Sequence, residues 1–176
     1  MTIDPASLPG GHALGDLLER LSGVVRPQRI VTGWATVELD RAEAEMVAAH
    51  GLAGGQVPQA AHDDEVLGAR CRIIRSAAGV DIVLLEPSTE GRLAAALARH
   101  GEGTVAFYLL ADAAAVARAS AAGFAMTAEG EGPFGGQRLI LGGPRDGPFA
   151  LVVGLDDAEP ATSPPGPRAT ESSTNA

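Results

Sequence analysis

Apolar and polar positions along the chain follow two different periods. Leu14, Leu17, Leu18 and Leu21 recur at helical spacing, so residues 12–22 read as a short amphipathic helix laid onto the rest of the protein. Ile30–Leu39 (IVTGWATVEL) is rich in β-branched residues and reads as a strand. Asp40, the helical stretch RAEAEMVAAH and Gly51 come next. Asp40 suits an N-cap, Glu43 completes a capping-box pattern and Gly51 suits the glycine after a helix. The same series then returns. Thr104–Ala111 (TVAFYLLA) is strand-like, Asp112 caps, AAAVARASAA is helical and Gly123 closes it at the same Asp-to-Gly spacing.

The segments after each helix match as well. Strand candidates lie near Gln56–Ala61, Leu67–Arg75 and Val80–Glu86 in the first copy. In the second they lie near Phe124–Glu131, Gln137–Leu141 and Pro148–Leu155, with glycine-rich turns between. Each copy reads β-α-β-β-β, which points to a duplication. The pattern predicts an α+β fold in which two such modules form a cup-shaped mixed sheet with helices outside. An extra N-terminal helix precedes it and a disordered C-terminal tail follows. The expected boundaries are 1–27 for the helix and linker, 28–155 for the domain (modules 28–87 and 101–155), and 156–176 for the Pro-, Ser- and Thr-rich tail.

Composition narrows the classes of partner. The 176 residues carry a net charge of −9, and all 13 basic residues are arginine without a basic run, which argues against nucleic acid and against an anionic membrane surface. No apolar run approaches the roughly 20 residues of a membrane span. The start, MTIDPASLPGGH, lacks a secretory pattern, so the expected compartment is the cytoplasm. A single cysteine, Cys71, excludes an internal disulfide and a cysteine-rich zinc site. Aromatic residues make up only 3%, so the core is built from Ala, Val, Leu and Ile.

Three motifs sit in order on this framework: IVLLEP (Ile82–Pro87), GEG (Gly101–Gly103) and GGQR (Gly135–Arg138), with a helix expected over Arg92–His100. With the paired modules, residues 29–155 resemble the vicinal oxygen chelate superfamily, and most closely its methylmalonyl-CoA epimerases. That resemblance implies a divalent metal held by two His, a Gln or Glu, and a Glu from four strands. The corresponding positions here are Thr32 (Gly33 if the register slips by one), Val83, Ala106 (or Thr104) and Val152, none of them a usual ligand. The epimerase's acid on the third strand corresponds to Cys71. His12, His50, His62 and His100 all fall outside the strands. No metal and no cofactor are therefore expected.

Alternation along the strands assigns the remaining lining. The face of Thr32 would carry Trp34, Thr36 and Glu38; that of Ala106, Thr104 and Tyr108; that of Val83, Asp81 and Leu85; that of Cys71, Ala69 and Ile73. Trp34 and Tyr108, the only Trp and the only Tyr, are thus expected on one face as catalytic or polarising groups. Thr32, Thr36, Cys71, Val83, Ala106 and Val152 are expected to contact substrate. Core filling is the competing role for both aromatics. The expected function is a metal-independent isomerase or cyclase, a cytoplasmic homodimer acting on an apolar, polyketide-like intermediate of bacterial secondary metabolism. Two alternatives stand beside it: a non-catalytic protein that sequesters an apolar antibiotic, and an acyl-CoA epimerase, which would need a metal and cations for the CoA phosphates.

Overall fold

The structure, a computed structural model, describes residues 11–49, 59–60, 63–75, 81–88, 90–143, 145 and 147–155. The expected tail lies outside these residues, as do Gly51 and His62. In chain order the elements are α1 (Gly11–Val25), β1 (Arg29–Ala35), α2 (Leu39–Ala49), β2 (Gln59–Ala60), β3 (Ala69–Arg75), β4 (Asp81–Pro87), α3 (Arg92–His100), β5 (Gly103–Asp112), α4 (Ala115–Ala121), β6 (Gln137–Leu139) and β7 (Phe149–Leu155).

One mixed sheet of seven strands runs β2-β3-β4-β1-β5-β7-β6. The two modules repeat their topology within it: β1 lies parallel to β4, and β5 lies parallel to β7. They join edge to edge where β1 runs antiparallel to β5, with a register shift between Gly33 and Trp34. The expected α+β cup with an added N-terminal helix is what the chain forms. One expected strand is absent. Over Phe124–Glu131 there are only isolated bridges, Met126 to Ile140 and Gly130 to Gln137.

Helix capping departs from expectation in both modules. Asp40 lies inside the first turn of α2 and does not cap it. Asp112 ends β5, where its carboxylate accepts from Ala114 N–H at 3.0 Å and pairs with Arg118 at 2.9 Å. Arg118 also donates to the carbonyls of Val24 and Val25 and so ties α4 to the last turn of α1.

Three apolar clusters divide the interior. On the inner face, Val31, Ala35, Cys71, Val83, Leu85, Ala106, Tyr108 and Leu151 pack together with Leu93 and Ala96 of α3. Behind the first module, Leu84 and Ile74 pack on Leu39 and Ala42 of α2. Behind the second, Phe107, Leu109 and Val152 meet α4 and the leucines of α1. The sheet is therefore covered on both faces, which removes the polar–apolar alternation that marks a half-exposed strand.

Candidate functional site

Strand register fixes which residues share the inner face. Gly33 pairs with Val83 on one side and Ala106 on the other, and Val83 pairs with Ile73. Ile73, Val83, Gly33 and Ala106 thus form one row across four strands. Val31 pairs with Tyr108 and Tyr108 with Leu151, which makes the neighbouring row. Val83, Ala106, Cys71 and Tyr108 are brought together as expected, all buried in one cluster.

Three expected positions face the other way. Trp34 packs behind the first module with Leu39, Met46 and Ile82, half-buried against α2. Thr32 alternates with Val31 and Gly33 and shares that outer side. Val152 packs among the residues of α1 and α4, and its neighbours Leu151 and Val153 face inward. The one-residue error has a physical origin. β7 buries both faces and carries no polarity with which to read the pleat. β1 does alternate, but its buried row is Val31, Gly33 and Ala35, and the more conspicuous Thr32 and Trp34 lie on the half-buried side.

Thr36 has a different role from the one expected. It is fully buried at the end of β1, and its Oγ1 donates to Glu102 Oε1 at 2.8 Å. Val37 N–H donates to the same oxygen at 2.8 Å, and Arg41 pairs with it. These partners, Arg41 foremost, pull the Glu102 carboxyl down to about 2. The GEG motif therefore fastens the β1–α2 turn to the start of β5.

The inner face also holds a polar group that the sequence did not reveal. Asp64 is 1% exposed, and its Oδ2 accepts from the Tyr108 hydroxyl at 2.8 Å. Its Oδ1 accepts from Leu67 N–H at 2.8 Å. Burial pushes the Asp64 carboxyl above the usual carboxylate range, and the hydrogen bonds oppose that push only in part. Burial and the Asp64 charge together push the Tyr108 hydroxyl well above its ordinary value, so it stays a donor. The same two causes raise the Cys71 thiol, which removes it as a nucleophile. Phe134 meets the Tyr108 ring edge-on at 5.7 Å.

Gln137 completes the cluster. It is fully buried on the same side of β6 as Leu139. Its carboxamide is near enough to Asp64 to favour the ionised form, yet neither Nε2 nor Oε1 reaches hydrogen-bond geometry with a described residue. Asp64 sits in a polar run (HDDE) that reads as a solvated loop. Gln137 had one legible signal: a polar residue two positions before Leu139 on an otherwise apolar inner face.

A divalent metal does not fit this interior. Gly33, Val83 and Ala106 offer no ligating side-chain atom. A Cβ on Gly33 would stand 2.9 Å from Ala106 Cβ, 2.9 Å from Leu85 Cδ1 and 3.1 Å from Tyr108 Cε2, so hydrocarbon fills the space. Among the described residues no three His, Cys, Asp or Glu gather as a metal would require.

No family profile and no curated protein matches the chain. Solved structures do. A Streptomyces coelicolor methylmalonyl-CoA epimerase in complex with 2-nitronate-propionyl-CoA superposes with a TM-score of 0.58 at 22% identity, covering 76% of this chain and 99% of that one. The Mycobacterium tuberculosis methylmalonyl-CoA epimerase gives 0.61 at 18% identity, covering 76% and 90%. A hypothetical protein from Bacillus halodurans gives 0.58 at 15%, covering 76% and 97%. The chain has the vicinal oxygen chelate fold. At these identities the likeness speaks for architecture alone. No helix among the described residues is long and apolar enough to cross a membrane.

Proposed function

We propose that the chain is a metal-independent enzyme on the vicinal oxygen chelate fold, one that encloses a largely apolar carbonyl compound and promotes its isomerisation or ring closure. The observation that supports this most directly is the 2.8 Å Tyr108–Asp64 hydrogen bond inside an apolar cup. A substrate carbonyl at this place competes with Asp64 for the hydroxyl hydrogen. Rotation about the Tyr108 C–O bond hands the donor to the carbonyl oxygen and leaves the carboxylate free to take the α-proton. The C–H electron pair becomes the enol double bond, the carbonyl π pair moves onto oxygen, and Tyr108 holds that charge. Asp64 then returns the proton to a new carbon, or the enolate carbon attacks a second carbonyl and closes a ring. In the ring closure the first carbonyl re-forms, the second carbonyl's π pair moves onto its oxygen, and that alkoxide takes the proton from Asp64.

Burial raises the proton affinity of Asp64 above that of an ordinary carboxylate, which makes its ionised form a stronger base. A polyketide-like intermediate of a bacterial secondary pathway fits the apolar lining. Arg138 and Glu129 pair at the rim, and the inner face itself presents no cation for a CoA phosphate among the described residues.

Exchange of α-hydrogen into D2O tests the reading, with the N-acetylcysteamine thioester of 2-methyl-3-oxopentanoate as probe and proton NMR as readout. The expected result is exchange above the buffer rate that survives EDTA. It should fall about tenfold to a hundredfold in Tyr108→Phe and in Asp64→Asn. Exchange no faster than buffer favours a binding protein, and unaltered exchange in both variants moves the chemistry elsewhere. A second reading, acyl-CoA epimerase, draws on the solved epimerase that holds methylmalonyl-CoA. It requires exchange with methylmalonyl-CoA that EDTA abolishes.

A further inference from the structure

Gln137 takes no part in the proton transfer proposed for Tyr108 and Asp64, and its burial is unexplained by packing alone. Its backbone is satisfied, exchanging N–H and C=O hydrogen bonds with Gly130 at 2.9 and 3.1 Å. Its side chain is 0% exposed and leaves both amide atoms without a hydrogen-bond partner among the described residues. A buried carboxamide in that condition is costly, and a Leu or Met of similar size would pack without the cost. The neighbouring loop is nevertheless shaped around it. A Cβ on Gly132 would come 2.2 Å from Gln137 Cδ, 2.3 Å from Oε1 and 2.5 Å from Nε2, so only a glycine there lets the backbone lie flat on the amide. The same loop seats Phe134 against Tyr108 and turns at Gly135, whose φ is +104°.

We propose that Gln137 anchors a ligand through a neutral carboxamide or lactam group, taken up beneath the Gly130–Gly136 loop and beside Tyr108. The proposal rests on the reading of this cup as the ligand site. A carboxamide presents its acceptor beside one of its two donors, and a cis amide presents the matching donor and acceptor, so two antiparallel N–H···O bonds give both Oε1 and Nε2 a partner. A ketone supplies only the acceptor and leaves Oε1 unpaired. A carboxylate brings a second negative charge next to Asp64, whose own ionisation burial already disfavours. The remainder of the ligand meets Leu139, Leu151 and Val153, which asks for hydrocarbon. Because the amide is fully covered, uptake requires the Gly130–Gly136 loop to lift, carrying Phe134 off Tyr108.

The test uses the full chain labelled with nitrogen-15 and two probes of equal size, 2-pyrrolidinone and cyclopentanone, the second lacking the N–H. The lactam is expected to move the side-chain NH2 signals of Gln137, assigned by their loss in Gln137→Leu. It should bind at least about tenfold tighter than the ketone. Gln137→Leu, shown by its melting curve to be folded, should bind the two rings alike. Gln137→Glu keeps the shape and is also expected to lose the preference. Equal affinities for wild type, a preference that survives in Gln137→Leu, or no NH2 shift up to about 100 mM lactam overturns the proposal. Tyr108→Phe separates the two readings. A lactam preference in wild type and in Tyr108→Phe, with wild type exchanging no faster than buffer, leaves the anchor standing and removes the chemistry. If neither ring disturbs the Val83 or Leu151 methyl signals, the cup is not a ligand site and both readings fall.

Discussion

Asp64 ties stability and activity to pH in opposite directions. Its carboxyl binds a proton more tightly when folded than the ordinary 3.8 of an unfolded chain, because burial disfavours the charge. That contribution to stability is fully present below the unfolded value and is lost as pH rises through the folded one. Denaturant midpoints should therefore fall as pH rises above the ordinary carboxylate value, and Asp64→Asn should flatten that slope. The proposed base must be ionised, so exchange should rise over the same interval in which stability declines. Gln137 is the complementary case. Gln137→Leu removes two unpaired buried polar atoms, and its thermal midpoint should rise by an amount worth about 1–3 kcal/mol. Increased stability with lost ligand preference is the signature of a residue kept for binding. Neither residue was legible as functional from sequence. Asp64 sits among acidic neighbours that suggest solvent, and the GGQR motif entered only as one of the three that carry the resemblance.

Strand and helix signals were read with uneven success, and the reason is burial. The parity of β3, β4 and β5 was legible from Cys71, Val83, Ala106 and Tyr108, all of which meet on the inner face. β7 was misread by one residue because both of its faces are covered, and β1 because its buried row, Val31, Gly33 and Ala35, is less conspicuous than the Thr32 and Trp34 between them. Trp34 marked the wrong face for a further reason. A rare aromatic invites a functional reading, whereas here it fills the gap between β1 and α2. Trp34→Phe should accordingly lower the melting temperature and leave α-hydrogen exchange unaltered, as paired melting and exchange measurements would show. The helices add a contact that no periodicity reveals. Arg118 gathers the end of α1 through two carbonyls and holds Asp112 at the end of β5. Arg118→Ala should cost about 1–3 kcal/mol in denaturant unfolding, with hydrogen exchange accelerating first in the last turn of α1.

Across the whole molecule, the two modules share the parallel pairing of their first and last strands, but the first has four strands, the second three, and their cover is unequal. α2 shields the back of the first, while the seven-residue α4 shields only part of the second and α1 supplies the remainder. The duplication was legible from matched spacing; that the leading leucines complete the second module, distant in sequence, was not. Gly33 shows what the packing of this row excludes. By resemblance, metal ligands on such a fold would project from the row in which Gly33 stands between Val83 and Ala106. Gly33→His is closed off at its first atom, because the Cβ alone already collides with Ala106 and Leu85. Reopening the space would require shrinking several neighbours at once, each change destabilising before any ligand set is complete. The interior is thus closed to a metal by several residues at once, and no single substitution along this row opens it.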